Sequence, residues 1–185
     1  MRDVDLAKEL VHLLSLPDNT KIKERAAQVT ACLLAYDNTV EILLQTVAPT
    51  KIVGALSHVM QSSTVPGRAA AAQALANLAA DGGEALSLVN SVPGVIQAIL
   101  DVLDDAPQEM RSGPLLALAN LSHHRLTREM LAAEPRLVET LVRIIPSTTP
   151  TGRGDAAAAL VAVVGQADPE VVTTVGHREM LSVVK

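Results

Sequence analysis

Apolar residues recur along this chain at the spacing i, i+1, i+4, i+7, i+8. Leu6, Ala7, Leu10, Leu13 and Leu14 carry the pattern first, and Ile52, Val53, Leu56, Val59 and Met60 carry it again. Val95, Ile96, Ile99, Val102 and Leu103 follow, then Leu137, Val138, Leu141, Ile144 and Ile145, at offsets of 46, 43 and 42 residues. That spacing puts each set of five on one face of an α-helix. A second phrase runs in step with the first. "AAQVTACLLA" at 26–35 returns as "AAQALANLAA" at 71–80 and as "GPLLALANLS" at 113–122, and Leu118 falls on Leu160 for a fourth copy. Two phrases sharing one period of about 42 to 45 residues mark an internal repeat, which sets the architecture of the whole chain.

Punctuation fits the same frame. Pro49, Pro93 and Pro135 stand just ahead of the first phrase, where proline is accepted in a helix's first turn and stops the helix before it. Pro17, Pro66, Pro107 and Pro150 separate that phrase from the next, with "DDAP" and "STTP" as polar connectors. Between the two phrases lie shorter apolar-periodic pieces, "TVEILLQTV", "EALSLVNSV", "LTREMLAAE" and "PEVVTTVG". Each unit therefore reads as short helix, helix, longer helix. The predicted divisions are 1–37, 38–81, 82–124, 125–167 and a partial unit at 168–185, within one domain.

Composition narrows the core. There is no Phe or Trp and Tyr36 is the one aromatic residue, so Leu, Val, Ile and Ala must fill the interior, as suits helices packed across small side chains. Alanines at 72, 74, 76 and 79 permit close stacking of the long helices, with Leu75 and Leu78 filling the space between layers. A net charge of −5 and a lone aromatic argue against nucleic acid, whether bound through phosphates or through stacked bases. No apolar run reaches the roughly 18 residues of a membrane span, and the N-terminus lacks the apolar core of a signal peptide. Cys32 alone forms no internal disulfide, so an intracellular, cytoplasmic chain without membrane insertion is expected.

A three-helix unit of this period resembles the armadillo repeat, within the armadillo and HEAT superfamily. "AQALANLA" and "LLALANLS" look like that family's third helix, and "VPGVIQAIL" and "EPRLVETLV" like its second. The resemblance spans essentially the whole chain. It implies an all-α fold, a right-handed α-solenoid of about four repeats with incomplete terminal units, in which third helices line a concave face. A family asparagine on that face hydrogen-bonds the backbone of an extended peptide. Asn77 and Asn120 match it, with Gln73 one turn before and Asp81 and His124 one turn after, while Cys32 and Ala162 hold the position in the flanking copies. Gln28, Cys32, Gln73, Asn77, Asp81, Leu116, Asn120 and His124 are thus the candidate groove. Where the nuclear-import adaptors carry tryptophan, this chain has Gln73 and Leu116, which argues against recognition of import signals. The alternative for both asparagines is a hydrogen bond to nearby backbone that helps end the helix.

No chemistry competes with binding. The histidines lack the i, i+4 spacing of a helical metal site, and His123 and His124 read as a solvated helix end. "TGRGDA" has no Walker lysine and follows no strand, so it reads as a turn into a helix capped near Asp155. Asp104 and Asp105 sit on a predicted connector with no converging His or Lys. Neither a catalytic set, a metal site nor a cofactor site is expected. Two incomplete units flank about three fuller ones, so apolar surface should be exposed at one or both ends, Met180, Leu181 and Val184 among it. The leading expectation is a non-enzymatic scaffold or accessory subunit docking with protein partners in a larger assembly, with homo-oligomerisation through the ends an option. The second is an adaptor or chaperone-type cofactor that captures an extended client segment in the groove.

Overall fold

The structure is a computed structural model that describes residues 2–80 and 92–164. Ten α-helices occur among them, and no strand. They are α1 (Arg2–Leu14), α2 (Thr20–Leu33), α3 (Asp37–Thr46), α4 (Pro49–Ser62), α5 (Val65–Ala80), α6 (Val95–Asp105), α7 (Ser112–His123), α8 (Arg125–Ala132), α9 (Pro135–Ile144) and α10 (Pro150–Val164). Short 3-10 turns at Gln108–Met110 and Ile145–Ser147 link α6 to α7 and α9 to α10. The predicted pieces at 84–92, 169–176 and 177–185 lie wholly or largely outside the described residues.

Two rows of helices make the solenoid. The long second-phrase helices α2, α5, α7 and α10 pack one on the next as an inner row. The first-phrase helices α1, α4, α6 and α9 form an outer row against them. α3 and α8 are the short first helices of their units; α3 packs on α1, and α8 on α7 and α10. The rows differ because their sequences differ. Ile52, Val53, Leu56, Val59 and Met60 of α4 are all buried, whereas Lys51, His58 and Gln61 stay in water, so one stripe faces the core. In α5, Ala71, Ala72, Ala74, Leu75, Ala76, Leu78 and Ala79 are all buried, because this helix has a neighbour on both sides. Burying a leucine such as Leu75 contributes about 1.5–3 kcal/mol, and the alanines let its neighbours close around it.

Helix ends follow local chemistry. Asn19 caps α2, its Oδ1 accepting from Ile22 N at 3.0 Å. Pro49 and Pro135 open α4 and α9, as the sequence predicts. Gly94 precedes α6 at φ 80°, a left-handed turn that a side chain would strain. Three expectations are corrected. Pro66 does not separate two helices but lies in the first turn of α5, where its missing N–H removes no helical bond. α10 begins at Pro150, so Asp155 lies inside it; Thr149 is the cap, its Oγ1 accepting from Gly152 N at 3.2 Å. Partial burial there pushes the Asp155 carboxyl above its ordinary value. Asp104 and Asp105 are the last residues of α6, not a connector.

Candidate functional site

The inner row brings the predicted asparagines into one line, but their amides face an acceptor the sequence does not show. Asn77 Nδ2 donates to Ala31 O at 2.9 Å, and Asn120 Nδ2 donates to Ala76 O at 2.8 Å. Ala31 lies in the last turn of α2 and Ala76 about one turn before the end of α5, so each carboxamide ties two layers together. Ala31 lies among the final carbonyls of α2, which lack a helical partner by construction. The reading of a local bond that ends the asparagine's own helix is therefore corrected: the bond is to backbone, 46 and 44 residues away. Gln73 completes the first rung by donating Nε2 to Asn77 Oδ1 at 3.0 Å. Leu116 replaces it in the second. At the third junction Ala162 offers no amide, and Ala119 O instead accepts from Ser122 Oγ of its own helix at 2.6 Å.

The remaining groove candidates divide. Gln28 and Gln73 both line a shallow hollow of about 270 Å³ between inner helices, floored by Ala69, Ala70 and Gly113. Gln28 accepts from Arg25 at 2.9 Å. Cys32 is exposed, as a groove-wall residue would be, and Leu116 is half-buried. His124 is not a solvated groove residue: it is the junction between α7 and α8, half-buried, with Nδ1 enclosed and without a hydrogen-bond partner. Asp81, Met180, Leu181 and Val184 lie outside the described residues.

A further column, which sequence reasoning missed, ties the layers near the outer row. Lys23, Arg68 and Arg111 recur at offsets of 45 and 43. Lys23 is buried, and its Nζ donates to Ser62 O at 3.2 Å and Ser62 Oγ at 2.8 Å, at the end of the next outer helix. Arg68 donates to Asp105 Oδ2 at 2.6 Å, at the end of α6, and to Met60 O. Arg111 donates to Ser147 Oγ at 3.0 Å and to Ala106 O. A cation at each helix C-terminus meets carbonyls that need donors and the negative end of the helix dipole. Arg136 adds bonds to Asp101 and Asp104, which hold its guanidinium pKa above its usual value, and Arg143 also donates to Asp104. Opposite charges a little under one repeat apart were the available signal for Arg68 with Asp105 and for Arg136 with Asp101 and Asp104.

Ser62 brings a hydroxyl, an imidazole and an ammonium together, since Ser62 Oγ lies 3.3 Å from His58 Nε2 beside Lys23. This is not an activated nucleophile. Ser62 Oγ donates its proton to His58 O at 2.7 Å, so the ring nitrogen does not receive it. Among the described residues no group of His, Cys, Asp and Glu could hold a metal ion, and no single helix is long and apolar enough to cross a membrane.

Among the described residues, five of the exposed large apolar side chains lie between α1 and α3: Leu6, Ile22, Val29, Tyr36 and Ile42. Leu126, Met130 and Val161 are their counterparts on α8 and α10.

No protein-family model and no curated protein sequence matches the chain. Solved structures do. An engineered protein superposes with a TM-score of 0.71 at 21% identity, covering 87% of this chain. The chain spans 63% of that protein's length, less than two thirds. A designed armadillo repeat protein is similar over 94% of this chain and 73% of its own, with a TM-score of 0.69 and 20% identity. Another, solved in complex with the peptide (KR)4, gives a TM-score of 0.68 at 18% identity, over 91% of this chain and 68% of its own. The chain therefore has the all-α, armadillo-like helical-repeat fold that its period implies.

Proposed function

We propose that this chain is a non-enzymatic protein-binding scaffold, an accessory subunit that docks into a larger assembly through the ends of its solenoid. The observation that carries the reading is apolar surface on the first helices: among the described residues, five large apolar side chains stand exposed between α1 and α3. Contiguous apolar surface of that kind marks association sites. Meanwhile the asparagine amides that would meet a peptide in the groove are already bonded to the neighbouring helix. The fold itself supports protein partners in general, and one designed neighbour is solved with a peptide.

A second reading has one observation in its favour. Gln28 and Gln73 line the hollow between inner helices, and no charged side chain lines it, which suits the backbone of an uncharged extended segment. Replacing Asn77 and Asn120 together by alanine separates the two. Under the scaffold reading, partners recovered with the tagged chain are unchanged while the midpoint of urea unfolding falls. Loss of those partners at unchanged stability would place the function in the groove.

A further inference from the structure

Each inner helix that follows another turns a column of small residues toward it. A Cβ added at Gly67 would stand 3.0 Å from Glu24 Cα of α2, and one at Gly113 would stand 3.0 Å from Gln73 Cβ of α5. One at Gly152 would meet Leu115 of α7 at 3.1 Å. Ala74, Ala117 and Ala159 continue the column, each 0% exposed. Carried back by the repeat offsets, α2 has Ile22 where the later copies have Gly67, Met110 and Gly152, Arg25 where they have Ala70, Gly113 and Asp155, and Val29 where all three have alanine. Ile22 is 38% exposed and Val29 46%. A like layer stacked at the same distance would collide with Val29, because each later inner helix holds a fully buried alanine at that position. The free face of α2 is therefore shaped for something other than one more repeat.

What it offers is a trough. Two hollows of about 430 Å³ and 270 Å³ lie side by side on α1, α2 and α3 and share Leu10 in their lining. Leu6, Leu10, Leu13, Ile22, Val29 and Ile42 supply the apolar lining, from α1, α2 and α3. Lys21 and Arg25 line the larger hollow, and among the described residues no acidic side chain does. Arg25 donates a hydrogen bond to the neutral amide of Gln28, and among the described residues it forms no ion pair.

We propose that this trough binds an amphipathic α-helix of another protein, its apolar stripe on the leucines and its flanking carboxylates on Lys21 and Arg25. The inference rests on the scaffold reading above and names the chemistry of its partner. Ridges of side chains along α1 and α2 match the i, i+3, i+4, i+7 stripe of a third helix. The two cations set polarity, since carboxylates at one edge of the stripe are attracted and ammonium groups repelled. A second copy meeting face to face would bring Lys21 and Arg25 of both copies to one trough.

The test is a fluorescence-anisotropy titration of the full chain with two synthetic helical peptides of about 18 residues, five turns. Both carry the same leucine stripe, one flanked by glutamates and the other by lysines. The glutamate peptide is expected to bind about tenfold more tightly, a difference of about 1.4 kcal/mol. In the Lys21→Glu, Arg25→Glu double variant the preference inverts, and Val29→Glu weakens both peptides about tenfold or more. Unfolding midpoints confirm that the variants fold; Arg25→Gln removes the charge if the double variant does not. Equal affinity for the two peptides, or saturable binding of neither, overturns the proposal. A dimer seen by light scattering and dissolved by Lys21→Glu would also overturn it, by assigning the trough to a second copy. A photo-crosslinking side chain at position 29, compared with one at 116, keeps the two readings apart. In the protein's native extract, adducts at 116 alone overturn this site and the end-docking reading while leaving a protein-binding chain; adducts at neither overturn both.

Discussion

The inner and outer rows bind the same layers by different physics. Inner helices meet through buried alanine and glycine, close enough for an asparagine to reach the backbone next door. Outer helices carry one apolar stripe each; their C-terminal ends are held by Lys23, Arg68 and Arg111 reaching out from the starts of the inner helices, and by Arg136 of α9 on α6, Lys23 buried and the others in partial contact with water. Close packing tolerates almost no change of volume, whereas a half-exposed ion pair is screened and replaceable. Stability should therefore concentrate in the inner row, and the outer row should set register more than it adds free energy.

The strongest way to break that comparison is Leu75→Ala. It empties the place of a side chain only 1% exposed and should cost about 3 kcal/mol in urea unfolding; a loss under about 1 kcal/mol would mean that the row collapses easily and is not close-packed. Gly113→Val comes next, at about 2 kcal/mol, because Gln73 and Ala69 O leave no room for the side chain. Asn120→Ala should cost about 1 kcal/mol by removing the donor to Ala76 O. The third junction sharpens the point. Ser122→Ala is expected to lose about 1 kcal/mol by depriving Ala119 O, and adding Ala162→Asn should restore part of it, a coupling that a double-mutant cycle measures. Arg136→Ala stands last, at about 0.5 kcal/mol at low salt and close to nothing at 1 M salt. A salt-independent loss would mean that its pairs with Asp101 and Asp104 are shielded from water.

Much of the fold was legible in the sequence. The i, i+1, i+4, i+7, i+8 faces, the prolines and the alanine-rich second phrase together specify helices, their order and which of them are buried all round. Helix starts were less so: Pro66 and Pro150 look like separators but serve in first turns, since a proline cannot report whether the helix begins before or after it. Asn77 and Asn120 were found as a pair, yet not their acceptors. A carboxamide's sequence position says nothing about whether its partner is on its own helix or 46 residues upstream. The Lys23, Arg68, Arg111 column was present in the repeat register and escaped notice because its partners, Ser62, Asp105 and Ser147, differ in kind. His124 was misplaced for a physical reason as well: the chain turns sharply between α7 and α8, so helical spacing from Asn120 stops predicting direction there.

Ala162 gives the array a weak seam. In a one-dimensional stack each interface carries its own coupling energy, and the whole unfolds as one unit only while those couplings are alike. The first two inner junctions are stitched by a carboxamide and the third is not, its carbonyl being turned inward to Ser122. Amide protons of α10 should then exchange before those of α5, and a pull on the two ends should part the molecule between α7 and α10 first. One alanine in a repeated position thus decides where the solenoid opens.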